Sequence, residues 1–176
     1  MRVFLPILCL CLGIGEFFLN PPISPVNSFP ATTVTRTETR LLLNLKKRRV
    51  FVYQGQKMIA SYPVAIGRPG WETPTGQFRV IQMVREPVWE HPFTGQLVPS
   101  RKNNPLGARW IGFWTDGANF IGFHGTPQEN LIGRAVSHGC VRMRDQDIKA
   151  LLEKVQIGTA LLFLVGEIVS IIKSGK

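Results

Sequence analysis

From Thr39 onward the apolar runs are short, and turn residues cut each one off until a single helical period appears near Asp145. A chain patterned this way buries its core mainly by stacking strands. Arg40 to Leu45 and Arg49 to Tyr53 predict two strands around the basic turn Lys46-Lys47-Arg48. Gln54-Gly55-Gln56 turns the chain into a third strand, Lys57 to Ile66. Gly67-Arg68-Pro69-Gly70 breaks the sheet, and Thr73-Pro74-Thr75-Gly76 leads into a strand from Gln77 to Val84. Trp110 to Thr115 and Asn119 to His124 read as a hairpin around Asp116-Gly117. The one helix is expected over Asp145 to Val155, where Ile148, Leu151, Leu152 and Val155 share a face. Asp145 and Asp147 suit the dipole of its first turn. Thr159 to Val165 supplies a last strand. The fold class is mainly β, a sandwich or barrel.

The region between Arg85 and Arg109 resists this pattern. Prolines at 87, 92, 99 and 105 forbid a long central strand there. An extended loop with a short hairpin around Phe93-Thr94-Gly95 is expected, and loops this long often bind ligands or cover sites. Trp89 and Trp110 are candidates to line a groove or to cap the core.

The first 19 residues read as an export signal or an N-terminal anchor. Arg2 gives a positive start and Val3 to Ile14 is almost wholly apolar, long enough for a signal core and short for a membrane span. Residues 20–38 are rich in proline, serine, threonine and asparagine and read as a linker. The domain proper is expected over 39–165, with 166–176 a tail too short to span a membrane. The expected setting is therefore exported, in the periplasm or on the outer face of the cytoplasmic membrane. The formal charge of +10 suits an anionic partner. No nucleic-acid motif, interleaved basic and aromatic array or zinc-finger spacing is present, so a weak association with cell wall or membrane lipid is favoured over DNA or RNA.

Cys9 and Cys11 lie inside the apolar N-terminal run, so removal of that run would leave Cys140 as the lone thiol. It closes the stretch Ser137-His138-Gly139-Cys140, just before the expected helix. A thiol needs a base to become a nucleophile, and a base needs a third group to orient it. His124, at the end of a predicted strand, is the favoured base, because an imidazole exchanges protons near neutral pH. His138 is the rival, since two residues of extended chain would put it on the cysteine's side. The first turn of the helix would favour a thiolate if the geometry brings them together. His91 is isolated. A zinc site built from His124, His138 and Cys140 lacks the acidic partner of helical His-Glu motifs, so the reading is metal-free and cofactor-free. Ser137 lacks the surroundings of a nucleophile elbow.

These residues resemble the signature of the YkuD-type L,D-transpeptidase catalytic domain. The signature is a histidine, a spacer, then Ser/Thr-His-Gly-Cys, an apolar residue and Arg or Asn, here His124-Gly125 and Ser137-His138-Gly139-Cys140-Val141-Arg142. Thr73-Pro74-Thr75-Gly76-Gln77-Phe78 resembles the family's early turn, and the likeness spans about Thr39 to Val165. Arg144 stands where a small capping residue is expected. The resemblance implies a β-sandwich with one main helix after Cys140, a nucleophilic Cys140, and His124 as its base, oriented by the Gly125 carbonyl. It implies that His138 shapes the approach of the acceptor, and that N–H groups around His138, Gly139 and Cys140 form an oxyanion hole beside Ser137. Arg142 would hold a substrate carboxylate or a backbone carbonyl. The implied reaction forms 3→3 cross-links between peptidoglycan stem peptides through a Cys140 thioester, in a monomeric enzyme that carbapenems acylate. Water as acceptor would make it an L,D-carboxypeptidase. A cysteine peptidase on wall peptides and a non-catalytic wall-binding module are the competing readings.

Overall fold

The computed structural model describes residues 38–91, 94–100 and 103–166. The predicted signal or anchor, nearly all of the linker and nearly all of the tail lie outside the described residues. The first three strands form as the turn signals require: β1 (Thr39–Asn44), β2 (Arg49–Gln54) and β3 (Lys57–Pro63). They pair antiparallel in sequence order. Pro63 ends β3 earlier than the pattern predicts, because it has no N–H to continue a ladder. Val64 and Ala65 then drop into the interior, and β4 (Ile66–Gly67) follows.

The strand expected from Gln77 to Val84 is two strands. β5 (Gly76–Arg79) joins the first sheet, and β6 (Gln82–Arg85) joins the second. The change occurs at Val80, which is fully buried. Its N–H donates to the Thr159 carbonyl (3.0 Å), while the Ile81 N–H donates to the Gly112 carbonyl (2.9 Å). Two consecutive peptides therefore bond to different layers. After the short hairpin of β7 (Trp89–Glu90) and β8 (Leu97–Val98), β9 (Arg109–Thr115) and β10 (Phe120–His124) pair antiparallel. A 3-10 turn at Glu129–Leu131 leads to β11 (Ala135–Ser137) and β12 (Val141–Arg142). Helix α1 (Asp145–Leu152) and β13 (Ala160–Leu164) complete the fold.

The first sheet runs β3-β2-β1-β13-β5, with β13 parallel to β1, and the second runs β12-β10-β9-β6. β11 pairs with β4 in a small parallel bridge. Leu41, Leu43, Val50, Val52, Leu161 and Phe163 from the first sheet meet Ile111, Phe113, Phe123 and Val141 from the second. Phe113 sits at the centre, its ring 4.7 Å from Phe163 and 5.3 Å from Phe123. Helix α1 buries Ile148, Leu151 and Leu152 on the expected face. It stops three residues short of the predicted end, although Val155 still packs into the core. The architecture is mainly β, with two stacked sheets and one α-helix among the described residues.

Candidate active site

The site lies on the second sheet, where β10 and β12 run parallel. Phe123 pairs with Val141 and His124 with Arg142. Phe123 and Val141 are fully buried toward the core. Strand alternation then puts His124, Arg142 and the preceding Cys140 on the opposite face. This register brings a residue of the hairpin beside a residue of the Ser-His-Gly-Cys stretch. Gly122, on the same face of β10, has no side chain to keep the sulfur off the strand. Its N–H pulls the Cys140 thiol pKa down, and the thiol makes a long 3.9 Å contact to the Phe120 carbonyl. A Cβ on Gly122 would lie 2.6 Å from the Ile111 carbonyl oxygen.

His124 is buried, and its Nδ1 is 2.6 Å from the Gly125 carbonyl oxygen. A carbonyl only accepts, so Nδ1 carries the ring hydrogen and Nε2 keeps a lone pair. Trp110, paired with His124 across β9 and β10, stacks on the imidazole at 6.1 Å with planes 25° apart. The Trp110 Nε1–H donates to Gln82 Oε1 at 2.8 Å, which fixes the indole. Trp110 thus walls the imidazole, whereas Trp89 stacks edge-on with His91 in the β7–β8 hairpin.

Burial lowers the His124 pKa to about 4. The Gly125 carbonyl and, more weakly, that of Pro105 favour the protonated ring, and the Arg142 charge opposes it. Burial also pushes the Cys140 thiol up, against smaller downward pulls from the Gly122 N–H and Arg142. Helix α1 begins only at Asp145, and burial moves the thiol in the opposite direction from the thiolate stabilisation expected of a nearby helix end. The resting pair is a neutral thiol and a neutral imidazole, chemistry suited to proton transfer in step with attack.

Gly139 has φ of +108°, a backbone conformation open to glycine and strained for other residues. It breaks the extended run that would put His138 on the cysteine's side. The His138 side chain is exposed and meets the edge of Trp71 at 4.8 Å, with Arg68 over the same indole. Among the described residues, no three His, Cys, Asp or Glu side chains converge as metal ligands would. Ser137 is buried, and its hydroxyl donates to the Cys140 carbonyl at 2.5 Å. Arg142 reaches Gln128 Oε1 at 3.4 Å, and its main chain pairs with Ala65. Arg144 is the residue before the helix, extended and without a side-chain capping bond. Glu129 Oε1 accepts the Asp145 N–H instead, at 3.2 Å.

Four contributors escape a reading by motif alone. Thr73 is buried and hydrogen-bonds the Gly139 carbonyl. Asn104 is fully buried and ties the proline-rich loop together through the Pro87 and Val98 carbonyls. Asp145 Oδ1 accepts the Ala108 N–H beneath Gly125. Gly122 opens the strand face for the sulfur. Proline spacing marks the loop itself, but no local signal marks long-range hydrogen-bond partners.

The L,D-transpeptidase catalytic domain (YkuD) family model matches residues 38–171. The chain belongs to this family. YqjB of Bacillus subtilis (strain 168), assigned as an L,D-transpeptidase, is 32% identical over 148 residues, covering 83% of this chain and 80% of that protein. YbiS of Escherichia coli (strain K12), assigned likewise, is 32% identical over 140 residues, 70% of this chain but 44% of the longer relative. The catalytic domain of the Enterococcus faecium L,D-transpeptidase matches in structure with a TM-score of 0.57 at 21% identity, covering 73% of this chain and 98% of that one. The L,D-transpeptidase of Mycobacterium smegmatis gives 0.59 at 16% identity, over 73% and 59%. At these identities the structural matches establish the fold, the mainly β sandwich read from the strand pattern.

Proposed function

We propose that this chain is a peptidoglycan L,D-transpeptidase in which Cys140 is the acyl carrier and His124 its base. The observation that carries the reading is the β10–β12 register, which sets a buried imidazole, held at Nδ1 by the Gly125 carbonyl, on the same sheet face as the thiol. In the first step the Cys140 sulfur adds to the carbonyl after the third residue of a tetrapeptide stem, and its proton passes to His124 Nε2. The C–N bond breaks, and D-alanine leaves with that proton. In the second step the side-chain amine of a neighbouring stem adds to the thioester, gives a proton to His124, and expels the thiol to leave a 3→3 cross-link. Main-chain N–H groups at Gly139 and Cys140 would hold the oxyanion of each tetrahedral intermediate.

His138 and Trp71, exposed beside the turn, fit a role in guiding the acceptor, and Arg142 fits a substrate carboxylate. The basic surface suits the anionic wall, and the N-terminal apolar run suits export to the cell envelope. Purified protein incubated with tetrapeptide stems should yield free D-alanine and a cross-linked dimer, both lost in Cys140→Ala. Free D-alanine without dimer would point to a carboxypeptidase. Retention by wall sacculi with no product and no thioester would point to a binding module.

A further inference from the structure

We propose that Thr73 is a positioning residue for the oxyanion-binding peptide, acting through the Gly139 carbonyl. The inference deepens the acyl-transfer reading above and rests on it.

Thr73 is nearly fully buried, with 3% of its surface exposed, although it lies in a loop. Its Oγ1 accepts the Gly67 N–H at 3.0 Å and donates to the Gly139 carbonyl at 2.8 Å. A hydroxyl has one hydrogen, so filling an acceptor lobe from Gly67 leaves that hydrogen for Gly139 alone. Gly67 is itself fixed, since β4 pairs with β11 and the Arg68 N–H donates to the Ser137 carbonyl at 3.0 Å. A side chain at Gly67 would collide with the Trp71 carbonyl at 2.0 Å, so the loop closes tightly around the hydroxyl. The chain of contacts runs from a strand of the fold, through Thr73, to the turn before the nucleophile.

The peptide it grips is the one that matters. In a trans peptide the carbonyl and the following N–H point in opposite directions. Anchoring the Gly139 oxygen inward therefore aims the Cys140 N–H outward. No backbone carbonyl among the described residues takes that N–H, which leaves it free for a developing negative oxygen. Gly139 has φ of +108° and no side chain to restrain it, so the turn needs an external tie. Ser137 provides the matching tie one residue on, at the Cys140 carbonyl. Preorganised donors contribute most when they need not reorient during the reaction.

Two reactions of the same thiol separate aim from reactivity. Acylation by a carbapenem passes through an oxyanion: the sulfur adds to the lactam carbonyl, the ring C–N bond breaks, and the ring nitrogen takes the proton. Alkylation by iodoacetamide displaces iodide and forms no oxyanion. Thr73→Val should slow carbapenem acylation roughly 10- to 100-fold, with alkylation nearly unchanged. Thr73→Ser should recover most of the acylation rate. Thr73→Ala, run beside the valine variant in case the latter does not fold, should show the same split, with a melting curve for each. The proposal is overturned if the valine and alanine variants acylate at the wild-type rate, if both reactions slow together, or if serine is as slow as valine. Wild-type protein that alkylates but never acylates would instead sink the acyl-transfer reading, and the proposal with it.

Discussion

A neutral imidazole can take a proton only where the resulting cation is tolerated. At His124 burial opposes that cation, and the Gly125 and Pro105 carbonyls partly offset the burial. Because its pKa lies at about 4, the ring remains a competent base well below neutral pH. An ordinary histidine, titrating near 6.5, would lose about 30-fold of its neutral form by pH 5. Carbapenem acylation of Cys140 should therefore hold nearly level between pH 7 and pH 5. A stopped-flow pH series checks this, and a drop centred near 6.5 would contradict it. His124→Gln keeps the shape and hydrogen-bonding capacity of the site but not its basicity. It should slow acylation roughly 10²- to 10⁴-fold at all these pH values.

At the scale of elements, the proposed base depends on how three segments meet. The end of β10, the close of the proline-rich loop at Gly107, and the first residue of α1 share one crowded point. A Cβ on Gly125 would lie 2.0 Å from Asp145 Oδ1 and 3.1 Å from the Ala108 nitrogen. One on Gly107, where φ is +60°, would lie 2.6 Å from the Gly125 Cα. Gly125→Ala should shift the carbonyl that orients His124. The expected result is a loss of about 1–3 kcal/mol in urea unfolding and a slower Cys140 acylation with the thiol intact. Wild-type values for both would contradict this account. Such contacts also show what a sequence reader can see. The strands, the helix and the candidate residues Cys140 and His124 are legible because periodicity, turn residues and reactive side chains are local signals. The break of one predicted strand at Val80 is not, because residues 79 and 82 alternate as one strand would while their hydrogen bonds go to different sheets. Nor is Asp145 beneath Gly125, a contact made by chain closure between residues far apart in sequence.

The whole molecule carries a cost at its active site, since the fold must bury His124 without its proton. The unfolded chain binds that proton near pH 6.5 and the folded chain only near 4, so the native state holds fewer protons between these values. Stability from this group is fully present above about 6.5 and declines as pH falls through 4. The difference amounts to about 3 kcal/mol. Carboxylates titrate in the same window, so the comparison must be between wild type and His124→Gln in parallel urea unfolding series. Wild type should lose about 3 kcal/mol more than the variant between pH 7 and pH 4. Because β10 lies between β12 and β9 in the second sheet, the loss should appear in the global transition rather than as local fraying. Parallel stability curves for the two proteins would mean that the ring is solvated in the folded state, and the neutral-pair account of the base would fall with it.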